Sequence, residues 1–365
     1  MDVSVPAPSP SASCEAQPIR VLRFDYAVLA ASVWFIGGLL VDGWAHNHLD
    51  LSREGFFTPY HALFYSGFAA VAATVIVTTW RNRATSASWR AAIPTGYAIT
   101  VAGLGIFAIG GACDMLWHIA FGIEQDVEAL FSPTHLVLAV GIGAILAGPI
   151  AAAIARRPAR SWSAQAPGLL ALAMFVTLIV FFLIWAFGIS AVRAADPHIA
   201  FPTLRGDALD TLRQLSIERG ISAIVFRSAI YVAVVLWAAR RLALPRGAAA
   251  FLIVLPTLGI AAVASPSVSF VSLQFAAACA AGLVAEIMLA KGLSGGVSRW
   301  RDRSFAFGIP GAFWATYVAL ASLVGHGFWW SPHVIYGAPV IGGLAGLLLA
   351  IAMESHRQPP ELASA

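Results

Sequence analysis

Charge is scarce in this 365-residue chain: Asp, Glu, Lys and Arg together make up 11% of it, against 59% hydrophobic residues and a mean hydropathy of +0.80. A soluble globule cannot hide that much apolar surface, so the composition points to a polytopic membrane protein. Cysteine is equally sparse. Cys14, Cys113 and Cys279 have no paired spacing, and neither a disulfide framework nor a thiolate metal site is indicated. The five methionines are scattered, which counts against a thioether-rich Cu(I) relay. The first 22 residues form a Pro- and Ser-rich polar tail without an apolar core, so no cleavable signal peptide is expected. The net charge of +4 is accounted for by arginines in the connecting loops and gives no reason to propose a nucleic-acid partner.

What the chain has instead is long apolar runs. Windows of about 20 apolar residues, the length that crosses the hydrocarbon core, fall at 24–42, 59–80, 93–114, 133–155, 167–191, 217–239, 247–264, 267–290, 305–324 and 333–353. The runs are continuous and rich in Ala, Leu and Gly, where a β-barrel would need short alternating segments. The expected fold is all-α, a bundle of about ten transmembrane helices arranged as five hairpin repeats. Residues 1–23 and 354–365 are expected as polar tails around a single transmembrane domain, 24–353.

Arginine sets the orientation. Arg20 and Arg23 precede the first run; Arg81, Arg83 and Arg90 separate the second and third; Arg156, Arg157 and Arg160 separate the fourth and fifth. Arg240, Arg241 and Arg246 follow the sixth, and Lys291, Arg299, Arg301 and Arg303 follow the eighth. By the positive-inside rule both termini are cytoplasmic in the cell membrane, and the opposite connections face outward. Of those, residues 192–216 are long enough for a small external segment. On this topology every histidine except His356 falls on the outer side.

The histidines are patterned. Asp42-x3-His46 closes the first run and Thr58-Pro59-x-His61 opens the second; Asp114-x3-His118 closes the third and Ser132-Pro133-x-His135 opens the fourth. Proline after a Ser or Thr cap is ordinary helix-start chemistry, but the cap does not account for the histidine that follows it. Asp and His at i and i+4 project from one helix face, and a histidine from the next helix can close a site across the hairpin. The carboxylate is then either a ligand or the group that orients an imidazole through its other N–H. His326 and His333 flank the last turn, where Ser331-Pro332 repeats the cap, and are candidates for the same region. The candidate metal ligands are therefore Asp42, His46, His61, Asp114, His118, His135, His326 and His333. His48, Asp50 and His198 read as loop residues. Imidazole and carboxylate donors suit Cu(II), Zn, Fe or Mn, and paired histidines on separate helices could also serve as axial haem ligands.

Arg227 stands near the middle of the sixth run, where a charge is disfavoured by about 2.5 to 3.5 kcal/mol on insertion scales. It should face the bundle interior, either in a structural pairing or as the partner of an anionic substrate or cofactor group. Gly342-x3-Gly346 permits close helix approach.

Asp-x3-His at the end of one membrane helix, answered by His at the start of the next, resembles the metal-binding pattern in the C-type subunit of the copper membrane monooxygenases. By position Asp114, His118 and His135 match one such set, and Asp42, His46 and His61 a second. The resemblance covers about 20 residues per copy and implies copper-dependent oxidation of a small or apolar substrate. Two other classes fit the same residues. A zinc-dependent membrane lipid hydrolase would use three protein ligands and an activated water. A transition-metal or haem binding or transport protein is the other, although metal transport needs a ligand path inward, and His, Asp, Met and Cys thin out toward the cytoplasmic side. The lipid bilayer is the one partner the composition requires; a membrane partner subunit or a homo-oligomer stays open.

Overall fold

A computed structural model describes residues 10–49, 56–122, 128–184, 203, 205–264, 268–290, 299–324 and 330–354. For 10–20, 128–129, 268–269, 299–301 and 324 this covers the backbone alone. Every regular element among the described residues is an α-helix: α1 (Pro10–His48), α2 (Pro59–Arg83), α3 (Trp89–Ala92), α4 (Ala98–Phe121), α5 (Glu128–Phe131), α6 (Pro133–Arg156) and α7 (Trp162–Phe182). They continue as α8 (Asp207–Arg241), α9 (Ala248–Ala264), α10 (Val268–Ala290), α11 (Arg299–Val324) and α12 (Pro332–Glu354). Nine of these are long and apolar enough to span a membrane, and α9 is a shorter apolar helix of 17 residues, at the lower limit for crossing the core. The protein is a polytopic all-α membrane bundle.

Helix ends depart from the apolar windows where polar residues continue the backbone ladder. α1 starts at Pro10, inside the expected tail, and runs past Asp42 to His48. α8 starts at Asp207, so the last residues of the expected external segment 192–216 are the first turns of a 35-residue helix. At 1.5 Å per residue that helix is about 52 Å long, more than the roughly 30 Å hydrocarbon thickness. Hydropathy measures partition into lipid, whereas the helix stops only where the hydrogen-bond ladder is broken. α7 begins at Trp162, earlier than expected, and residues 185–191 of the fifth window lie outside the described residues.

The chain divides into two compact units: residues 1–42, 54–123 and 133–171, and residues 43–53, 124–132 and 172–365. The first is built on two hairpins, α1–α2 and α4–α6, and they are copies. Residues of α1 have counterparts 72 positions later in α4, and residues of α2 have counterparts 74 positions later in α6. A Cβ on Gly67 would come within 2.5 Å of the Phe35 backbone, and a Cβ on Gly141, its counterpart, within 2.8 Å of the backbone of Phe107, the counterpart of Phe35. Gly38 meets the Phe64 backbone, and its counterpart Gly110 meets Leu138, the counterpart of Phe64. Lipid supplies little hydrophobic drive between helices, so glycine at these four places lets backbones approach until van der Waals contact holds them.

Counterpart residues also touch each other. Phe35 and Phe107 pack edge-to-face with ring centroids 5.0 Å apart. Tyr97 Oη donates to Oδ1 of Asp25, its counterpart, at 2.7 Å, and Arg156 pairs with Asp25 Oδ2 at 2.6 Å. Burial and the Asp25 carboxylate push the Tyr97 phenol above its ordinary range.

In the second unit α9 packs on α10, α10 on α11, and α12 on both α11 and α8. The α11–α12 approach depends on Gly346, where a Cβ would come within 2.1 Å of the Ala306 carbonyl oxygen. Glu286 accepts from the backbone N–H groups of Gly247, Ala249 and Ala250 and so caps the start of α9.

Candidate metal centre

At the turn end of each hairpin, helix geometry brings together the residues singled out by the sequence. Asp114 and His118 lie one turn apart on α4, and His135 sits in the first turn of α6; the ligand atoms of the three lie within 4.8 Å of one another. Asp42, His46 and His61 form the second such group. Pro133 and Pro59 occupy the first helical positions, and Thr58 Oγ1 accepts from the His61 backbone N–H at 3.0 Å. The Thr58 cap and Pro59 thus fix the entry of α2 and with it the placement of His61.

The Asp114 carboxylate stands between two imidazoles. Oδ2 is 3.5 Å from His118 Nε2, Oδ1 is 3.3 Å from His135 Nε2, and Thr134 Oγ1 donates to Oδ1 at 2.8 Å. In the other group Asp42 Oδ2 is 3.6 Å from His61 Nε2. The far nitrogens decide the tautomers. His61 Nδ1 meets the Phe56 carbonyl oxygen at 2.5 Å and His118 Nδ1 the Gly122 carbonyl oxygen at 3.3 Å. A carbonyl only accepts, so Nδ1 carries the proton, and in the neutral ring Nε2 presents a lone pair to the carboxylate. Two acceptors facing each other need a cation between them. A proton would draw them to about 2.9 Å. A tetrahedral ion with bonds of about 2.0 to 2.2 Å holds adjacent ligand atoms about 3.4 Å apart, which the separations of 3.3 to 3.6 Å match.

The two groups differ in access. Asp114 is 2% exposed and His118 9%, whereas Asp42 and His61 are partly exposed and His46 is open to solvent. They are neighbours: the Phe56 ring lies 5.2 Å from that of His61 and 6.0 Å from that of His118. Phe56, Thr134 and Tyr65 were not singled out by the sequence. Thr134 had a signal, since it stands between Pro133 and His135; Tyr65 is an aromatic of an apolar run and Phe56 precedes that run, and only packing reveals their place.

Of the remaining candidates, His333 is exposed in the first turn of α12, in the second unit; His326 lies outside the described residues. His48 stacks on Trp44 at 5.1 Å and is exposed. Arg227 is 2% exposed in the second unit, donates to Gln274 Oε1, and lies over the rings of Phe313 and Trp314 at 5.6 and 5.9 Å. These interactions are the structural pairing that a charge within the bundle requires.

Comparison with known proteins gives a partial match. Over 172 residues the chain is 30% identical to the heme A synthase of Rhizorhabdus wittichii, covering 44% of this chain and 46% of that protein. The chain thus spans under half the length of this relative. No family profile and no solved structure matches.

Proposed function

We propose that each Asp-His-His group holds one divalent transition-metal ion, and that the protein carries out metal-dependent oxidation of a small or apolar substrate at the outer membrane face. The observation that carries the reading is the ligand spacing: Asp114 with His118 and His135, and Asp42 with His61, stand at the separation an ion imposes, with backbone carbonyls holding His118 and His61 in the ligating tautomer. Three protein ligands leave coordination positions open to an exogenous ligand. Copper is the first choice because the donors are nitrogen and oxygen without thiolate and copper heads the divalent affinity order; iron and zinc suit the same donors. The outer location follows from the arginine distribution, and the resemblance to the C-type monooxygenase subunit supports oxidation. The same three-ligand set with zinc would serve lipid hydrolysis.

A second reading is haem binding, favoured by the partial similarity to a heme A synthase. In it Arg227 would face an anionic substituent of the cofactor. The Asp114 group fits this less well, because a carboxylate within 3.5 Å of both imidazoles occupies the plane a macrocycle would need.

Elemental analysis and a reduced pyridine spectrum of the detergent-purified chain separate these readings. Copper, iron or zinc without a haem band supports the first, and a stoichiometric haem band the second. Absence of all four after metal supplementation rejects both.

A further inference from the structure

Tyr65 stands on α2, which carries His61, and packs against α4, which carries Asp114 and His118. It follows His61 by one turn on α2, and its ring packs 5.7 Å from that of Phe56 and 6.4 Å from that of His61. The hydroxyl is shielded from solvent and has no hydrogen-bond partner among the described residues. Leaving such a group unpaired is unfavourable, which calls for a partner supplied from elsewhere.

The duplication makes the placement informative. The counterpart of Tyr65 in the second hairpin is Ala139, so the tyrosine occurs in one copy alone. It is accommodated by Gly111 of α4, where a Cβ would come within 2.9 Å of Tyr65 Cε1 and 3.2 Å of its Oη; the counterpart of Gly111 in α1 is Leu39. At this place the copies differ on both sides of one contact, a large phenol on one and a missing side chain on the other. Gly111 is one turn before Asp114, so the hydroxyl lies against the helix that supplies the buried ligands.

We propose that Tyr65 is a binding residue for the exogenous ligand of the Asp114 centre, its phenol donating a hydrogen bond to a small anionic or oxygen-donor ligand in the open coordination position. This rests on the metal reading of the two groups. A phenol that donates to the bound species favours a ligand that brings negative charge to the ion. It also makes the two centres unequal.

The test uses the full chain in detergent loaded with Co(II), whose visible bands report changes in coordination, titrated with azide. Tyr65→Phe should hold as much cobalt as the parent and bind azide about tenfold more weakly, the loss expected for one hydrogen bond to a charged ligand. Gly111→Ala, which keeps the phenol but displaces the ring, should weaken azide in the same direction. Equal azide affinity in the parent and both variants, at equal cobalt content, overturns the role of Tyr65 and leaves the metal reading intact. Azide that does not alter the bands of the cobalt-loaded parent overturns the open position and the inference with it. A parent that retains no cobalt overturns the metal reading and this inference together.

Discussion

Phe35 and Phe107 occupy the same place in two copies of one hairpin and meet edge-to-face, with ring centroids 5.0 Å apart. Each also presents its backbone to a glycine of its own hairpin, Gly67 and Gly141. A single contact therefore ties the two copies to each other and each copy to itself, and it lies between the Asp25–Tyr97 contact and the Asp-His groups along α1 and α4.

Phe107→Ala should cost about 3 kcal/mol, as truncation of a buried aromatic does when its surroundings relax little. Adding Phe35→Ala should cost less than the sum of the two single changes, because the ring contact is already lost. Unfolding in mixed micelles followed by circular dichroism measures both. Strict additivity would deny the coupling.

His118→Ala and His135→Ala should each lose about half of the bound metal, since each removes one of three ligands from one of two centres. His46→Ala should lower affinity yet retain metal at saturating concentration, because water can take the place of an exposed ligand. Dialysis against a metal buffer followed by elemental analysis gives the ratio. Equal losses from His46→Ala and His118→Ala would contradict the difference in burial.

Tyr97→Phe should destabilise the first unit by about 1.5 to 3 kcal/mol at neutral pH, the range for a hydrogen bond to a charged acceptor. The phenol's folded pKa is raised, so its contribution is complete below the unfolded value of about 10 and is lost as pH rises toward the folded one. The difference between parent and variant should thus be constant from pH 7 to 9 and shrink in stronger alkali. A difference that shrinks below pH 9 would contradict the assignment.

Thr85→Cys and Leu49→Cys should label from opposite sides of the membrane with an impermeant maleimide, the first from the cytoplasm and the second from outside. Labelling of both from one side would overturn the orientation.

Arg227→Gln should lower stability through loss of the ring contacts and of the charged donor to Gln274, while leaving metal content unchanged. Loss of a haem band on the same substitution would instead favour the haem reading.

Much of the site was legible because its grammar is local. Asp and His four apart must share a helix face, and a histidine two residues past a capping proline must lie in the first turn of the next helix, so the groupings Asp42, His46, His61 and Asp114, His118, His135 follow from chain order and helical pitch alone. His333, one residue past Pro332, likewise falls in the first turn of its helix, α12, in the second unit. Its cap places it at a helix start but says nothing of which helix faces it. The sequence likewise determined the class of fold, since apolar runs of this length can satisfy their backbone groups in lipid only as helices. Tertiary structure alone decided that the two hairpins pack through Phe35 and Phe107, that Phe56 comes to lie between the two groups and Tyr65 against Gly111, and that one group is buried while the other is more open. Those outcomes depend on which glycines admit a neighbouring backbone and at what angle. That is a matter of complementary shape between helices distant in sequence, which no window along the chain can record.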